Sequence, residues 1–218
     1  MAVTRPPSGL PAGKMLLHWS PRSPYVRKVM IAAHEMGLQD RLHCVRTVVG
    51  GTTPHLELMR ENPLGKIPTL VLADGTIIYD SPVLCEYLDT LHHGPKLFPA
   101  GAERITALRW LALGDGMLDI SLALLSERSR PADKQSQPHM ELWRGKLMAC
   151  IPALEAEAVA LSASAFSIGH IGIGIALAYL DFRFAELNWR DGNPKLTAWH
   201  EAFNMRLSVQ AHLPVDDR

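Results

Sequence analysis

The spacing of apolar residues divides this chain into a front part that mixes strand and helix periods and a back part that is helical throughout. Met15-Leu-Leu-His-Trp19 is a short apolar run of strand character, and from Pro24 to Gly37 the positions Val26, Val29, Met30 and Ala33 recur at helical spacing, with Gly37 as the stop. Leu42 to Val49 is β-branched and partly alternating, which predicts a second strand, and Pro54 to Glu61 fits a short helix. Thr69-Leu-Val-Leu72 and Thr76-Ile-Ile-Tyr79 flank Asp74-Gly75, a pair that predicts a hairpin with a two-residue turn. Ser81 then opens a helix carrying Val83, Leu84, Tyr87, Leu88 and Leu91. The order so far is β-α-β-α-β-β-α.

Gly94-Pro-Lys-Leu-Phe-Pro99 is a punctuated connector, and strand signals stop there. Helices are predicted from Ala102 to about Leu125, Met140 to Leu161, Ile168 to Asn188 and Pro194 to Met205, with a polar, proline-marked connection at Ser126 to Pro138 and an irregular tail through Pro214. The expected division is a loose tail over residues 1–13, an α/β domain over 14–94, a linker over 95–100 and an all-helical domain over 101–218. Ala158 to Leu180 contains no Asp, Glu, Lys or Arg and is long enough to span a bilayer. Ser162, Ser164, Ser167 and His170 interrupt it, so a break followed by a buried core helix is expected. Gly169, Gly172 and Gly174 each cost about 1 kcal/mol of helix propensity relative to alanine, which implies close packing around that helix.

Composition removes several function classes. Twenty-two basic residues balance 22 acidic ones, so no overall field draws the chain to nucleic acid or to an anionic membrane, and 47% hydrophobic residues suffice for a buried core. Cys44, Cys85 and Cys150 are widely spaced, with no C-x-x-C pair and no metal-type cluster with histidine, so neither a disulfide framework nor a metal is expected. Met1 to Gly13 has no apolar core of the secretory kind, which points to a reducing, cytoplasmic setting. His18 and His34 show no partner at metal or triad spacing and read as structural or exposed, and Cys85 reads as a core residue.

Local chemistry is more informative. Ser23-Pro24 and Ser81-Pro82 each stand where a strand-like run gives way to helical periodicity. Serine is a favoured N-cap and proline a favoured first helical residue, so each pair opens a helix whose free N–H groups and positive dipole end face outward. With Asn62-Pro-Leu-Gly-Lys-Ile-Pro68 between them, they suggest a groove for a small acidic ligand.

This order of elements, together with Ser20-Pro-Arg-Ser23-Pro-Tyr-Val-Arg-Lys28, Asn62-Pro-Leu-Gly-Lys-Ile-Pro68 and Asp80-Ser81, resembles the cytosolic glutathione S-transferases of bacterial type, with serine at the sulfur-contacting position. The resemblance covers about Met15 to Pro214. It implies a thioredoxin-like N-terminal domain and an all-helical C-terminal domain, glutathione as co-substrate, and no metal. It places Ser23 at the glutathione sulfur, with Ser20 in reserve. A cis Ile67-Pro68 bond would let Ile67 pair with the cysteinyl backbone, Asp80 and Ser81 would hold the γ-glutamyl end, and Lys66 would face the glycyl carboxylate. Tyr25, Arg27 and Lys28 rank below these. Trp110, Gly114 and Met117, on the first helix of the second domain, would line a pocket for a small, hydrophobic electrophile.

The partners implied are glutathione, the electrophile and a second copy of the chain, in a detoxifying cytoplasmic homodimer without nucleic-acid or membrane contacts. A cysteine at the Ser23 position would permit mixed disulfides; serine leaves attack by glutathione's own thiolate. The rival readings are a glutathione-dependent isomerase or dehalogenase, and a non-catalytic binding protein of the same fold. One departure stands out: Phe166-Ser-Ile-Gly-His170 puts histidine where the family's helix-start motif has aspartate. A histidine cannot supply the carboxylate of a capping box, so this helix is expected to be started by Ser167 alone or by another local bond.

Overall fold

In the computed structural model, which describes residues 9–216, the first unit is organised around β1 (Met15–Trp19), the second strand of a sheet ordered β2-β1-β3-β4. β2 (Leu42–Arg46) runs parallel to β1 and β3 (Thr69–Val71) antiparallel to it, while β4 (Ile77–Ile78) pairs antiparallel with β3. α1 (Pro24–Glu35) makes the crossover from β1 to β2, α2 (Leu56–Glu61) follows β2, and α3 (Ser81–Asp89) closes the unit. The predicted β-α-β-α-β-β-α order is the observed one. Leu17 stands opposite Cys44 on one side and Leu70 on the other, and both leucines are fully buried, which fixes the register of the centre. Of the tail expected over residues 1–13, residues 1–8 lie outside the described part.

The hairpin differs from expectation by one residue. Val71 pairs with Ile77, and the Leu72 N–H donates to the Thr76 carbonyl at 2.8 Å, leaving Ala73-Asp74-Gly75 as a three-residue loop. Gly75, at φ +86°, supplies the left-handed residue that ends such a loop. Asp74 accepts from the Thr76 N–H at 2.8 Å, and that bond holds its carboxyl below its ordinary pKa.

The second unit runs from Phe98 to Gln210 and takes in α4 (Ala102–Arg128), α5 (Gln137–Ala163), α6 (Ile168–Arg183), α7 (Pro194–Asn204) and α8 (Leu207–Gln210). α6 stops before the expected Asn188: Phe184 leaves the helical region, a short 3-10 turn follows, and Asn188 itself is left-handed at φ +44°. The expected irregular tail begins with the single turn of α8. From Ala211 the chain groups with the first unit rather than with the helical domain.

The charge-free segment is a core helix. Ile168, Ile171, Ile173, Ile175, Leu177 and Leu180 of α6 are fully buried, and no helix among the described residues is long and apolar enough to cross a membrane. The glycines allow this burial. A β-carbon at Gly114 of α4 would collide with the Gly172 carbonyl, and one at Gly169 would meet the Ala107 carbonyl at 2.6 Å. α4 and α6 thus pack almost backbone to backbone, as the glycine-rich sequence required.

At the start of α6 the second of the two expected arrangements is found, and the other local bond comes from His170 itself. The Ser167 N–H donates to His170 Nδ1 at 3.1 Å, so the imidazole closes the capping box that a carboxylate usually closes. A ring nitrogen with a free lone pair is acceptor enough. With Nδ1 accepting, the proton sits on Nε2, which donates to the Leu161 carbonyl at 3.0 Å. Burial, and to a smaller extent the charge of Arg206, lowers the His170 pKa against the raising effect of the Leu161 bond.

Two outcomes follow from this packing. Gly114→Ala should cost about 1–3 kcal/mol of unfolding free energy by overpacking, read from denaturant titration; an unchanged midpoint would show that the helices can separate freely. For His170 the folded pKa is depressed, so its contribution is complete above the unfolded value of about 6.5 and is lost as pH falls through it. His170→Gln keeps an acceptor for the Ser167 N–H but gains no proton. Its stability should therefore drop less than that of the parent between pH 7.5 and pH 5.5, at about one unit either side of that value; equal drops would refute the neutral cap.

Candidate functional site

Three segments of the first unit meet over a small apolar cluster of Val26 from α1, Leu58 from α2 and Ile67 from the following loop, flanked by Trp19, Met30 and Val49. The cluster sets the heights of the segments above it. Asn62, almost completely buried, shapes the loop: its amide nitrogen donates to the Lys66 carbonyl at 3.1 Å and to Thr69 Oγ1 at 2.9 Å, and its amide oxygen accepts from the Leu64 N–H at 3.0 Å. The Ile67–Pro68 bond is cis, as the resemblance implied. With its side chain in the cluster, Ile67 makes no hydrogen bond through its amide or carbonyl among the described residues. Lys66, beside it, is exposed.

Ser23 is the N-cap of α1, with Pro24 at the first helical position. Its hydroxyl oxygen accepts from the Val26 N–H at 3.2 Å, which leaves the hydroxyl proton available to an acceptor outside the helix. The Ser23 N–H closes a turn onto the Ser20 carbonyl at 3.2 Å. Ser23 is half-buried and Ser20 only 5% exposed, so Ser23 is the more accessible of the pair.

The second Ser-Pro pair departs from expectation. Asp80, exposed, is the N-cap of α3, and Ser81 is already the first helical residue, with the Leu84 N–H bonding the Asp80 carbonyl at 2.9 Å. The Tyr79–Asp80 bond is also cis. Ser81 is buried, and its Oγ accepts from Lys28 Nζ at 3.1 Å. Lys28, ranked low from sequence, is itself fully buried and ties α1 to the opening of α3. The signal was present: α1 is apolar on most of its circumference, so a lysine in its middle has little solvent to reach.

His18 has partners that its sequence neighbourhood did not reveal. Its Nε2 lies 2.7 Å from Glu61 Oε2, and its Nδ1 lies 2.8 Å from Thr47 Oγ1, linking β1 to the end of α2 and to the chain after β2. That role is structural, as expected, but it is bonded and not merely filled in. Cys85 is fully buried, also as expected.

The three residues expected to line an electrophile pocket are buried inside the helical unit. Trp110 is edge-on to the His170 ring and donates through Nε1 to Glu157 at 2.5 Å; Gly114 faces Gly172; Met117 is fully covered. Each is accounted for by packing in its own unit. A recess of about 670 Å³ in that unit, walled by Phe166, His170, Trp199, Phe203 and Arg206, contains none of the residues described above for the first unit.

Comparison with known proteins agrees with the geometry. Residues 22–91 match the glutathione S-transferase N-terminal domain and residues 137–202 the glutathione S-transferase C-terminal domain. The GST-like protein YibF of Escherichia coli K12 is 30% identical over 187 residues, spanning 84% of this chain and 90% of its own. A glutathione transferase family member from Pseudomonas fluorescens Pf-5, crystallised with bound glutathione, superposes with a TM-score of 0.90 at 39% identity, over 93% of this chain and 100% of that one. A glutathione S-transferase from Methylobacillus flagellatus KT with GSH bound superposes with a TM-score of 0.84 at 32% identity, over 93% and 100%. Motif order, sheet topology and these full-length matches converge, and the chain belongs to the glutathione S-transferase family.

Proposed function

We propose that the protein is a glutathione transferase that binds glutathione on its first unit, keeps the thiol ionised, and delivers the thiolate to a small, hydrophobic electrophile. The observation that carries this reading is Ile67: its side chain is anchored in the apolar cluster while its amide and carbonyl make no bond within the described residues. Such a residue offers an extended peptide the pair of main-chain bonds that an added strand makes. The solved relatives with bound glutathione support the same ligand.

In this reading the cysteinyl backbone of glutathione pairs with Ile67 beside Pro68. The γ-glutamyl carboxylate takes the opening of α3 and the Ser81 hydroxyl, whose oxygen already accepts from Lys28; Asp80 faces the ammonium, and Lys66 the glycyl carboxylate. Ser23 donates its hydroxyl proton to the sulfur, at the positive end of α1, with Ser20 as the reserve donor. An ordinary thiol has a pKa of about 8.5, and one charge-assisted hydrogen bond plus the helix dipole lowers it by about one to two units. The thiolate then attacks the electrophilic carbon and a new C–S bond forms; in a substitution the leaving group departs with its bonding pair, and in an addition the displaced π pair takes a proton from solvent. The reading extends to a cytoplasmic homodimer that disposes of reactive compounds, on the strength of family likeness.

Two variants test it. In Ser23→Ala the pKa of the bound thiol, followed by thiolate ultraviolet absorbance, should rise by about one unit, and kcat/KM near neutral pH should fall about tenfold. An unchanged thiol pKa would move the donor to Ser20 or to backbone amides. Asn62→Ala leaves the Leu64 N–H without its acceptor and removes the amide's bonds to Thr69 Oγ1 and to the Lys66 carbonyl, which keeps only the Thr69 hydroxyl, so unfolding free energy should drop by about 1–3 kcal/mol and the Kd for glutathione should rise. A variant that keeps full affinity would show that the loop holds its shape without that amide.

A further inference from the structure

After α8 the chain returns to the first unit and runs along α1, with one contact at the turn before it, one in its first half and one at its end. Arg27 Nε donates to the His212 carbonyl at 2.7 Å. The His212 ring stands edge-on to that of His34, with centroids 5.7 Å apart and an interplanar angle of 81°. The Val215 N–H reaches the Pro21 carbonyl at 3.4 Å, a long bond, but one to the turn that delivers Ser23 to its capping position.

Arg27 is an expensive residue to place here. It is 5% exposed, and it lies four residues past the N-cap, where the helix dipole opposes a cation. Burial alone lowers its pKa, to about 10, so it keeps its proton at neutral pH and carries a charge into the interior. The acceptor of its Nε is a neutral main-chain oxygen 185 residues away in sequence. Nothing in the stability of α1 requires this; leucine or methionine would fill the same space at lower cost. A guanidinium differs from those side chains in presenting a rigid, directional donor. Burial together with the charge on Arg27 and the nearby His34 lowers the pKa of His212, so its ring adds no second charge beside the guanidinium at neutral pH.

We propose that Arg27 is a positioning residue: by gripping the His212 carbonyl it clamps the C-terminal segment 211–216 onto the start of α1, and that segment, through Val215 and Pro21, holds the turn that presents Ser23. The proposal rests on the thiolate-stabilising reading of Ser23. A hydroxyl donating to a sulfur anion must be held within about half an ångström of its place to keep its effect, and the Ser20–Ser23 turn has a single main-chain bond of its own, at 3.2 Å. The segment supplies a second restraint from the outside.

The test compares the full chain, a chain ending at Gln210, Arg27→Gln, and the two changes combined, by amide hydrogen exchange without ligand and by glutathione titration. Exchange at Arg22, Ser23, Tyr25 and Val26 should quicken about tenfold in either single variant, while α4 and α6 keep the parent's rates. The Kd for glutathione should rise about tenfold and the bound thiol's pKa should go up, and the combined protein should be less than about twofold worse than either alone, because both changes cut one link. Exchange and affinity in the shortened chain within about twofold of the full chain would overturn the proposal. So would losses that multiply, since Arg27 would then support α1 independently of the segment. Should Arg27→Gln not fold, the shortened chain decides alone. If the full chain binds no glutathione, the reading of the site fails and the clamp's service to Ser23 fails with it; the exchange rates still report whether the segment is clamped.

Discussion

Burial of the Ile67 side chain is the constraint on which the candidate site depends. Removing such a side chain from water is worth about 1.5–3 kcal/mol, and here the burial also sets direction: with the side chain turned into the cluster with Val26 and Leu58, the main chain of Ile67 faces the other way. Val26 is three residues past Ser23 and donates to its hydroxyl, so the same cluster that orients Ile67 also fixes the level of the capping serine. Leu58 brings in α2, and Asn62 after it converts that anchoring into the shape of the loop. In the proposed reading, recognition and folding therefore draw on one set of contacts.

A second theme is positive charge kept inside an otherwise neutral molecule. Lys28 and Arg27 are adjacent, both buried, and both donate to oxygens on segments that α1 must meet, the start of α3 and the C-terminal segment. Each thus places a cationic group inside the unit, near a helix opening or a returning segment. The equal totals of acidic and basic residues conceal this, because composition averages over a surface where carboxylates are plentiful.

The element order was legible because each element carries its own signal: the helical spacing of Val26, Val29 and Ala33, the Ser-Pro starts, and the turn residues Asp74-Gly75. Boundaries were less so. The hairpin gained a loop residue because the pairing of Val71 with Ile77, a tertiary fact, overrides the preference of the dipeptide for a shorter turn. The site's outward-facing residues were named from motif position, whereas Lys28, His18 and the histidine cap were not, since each depends on a partner distant in sequence or on which ring nitrogen holds the proton. Trp110, Gly114 and Met117 show the converse. Position on α4 suggested a lining role, but only the approach of α6 reveals that packing covers Trp110 and Gly114, and Met117 is buried as well.

The short outer strand has a consequence for how the molecule behaves in company. β4 is two residues long and sits at the margin of the sheet, so it exposes very little unpaired main chain to a neighbouring polypeptide, and the opposite margin, β2, carries His43 and Arg46 at exposed positions. Both are features that discourage sheets from joining edge to edge and aggregating. In the proposed reading the strand-like pairing with the ligand falls on Ile67, in the loop before β3, and so away from both sheet margins.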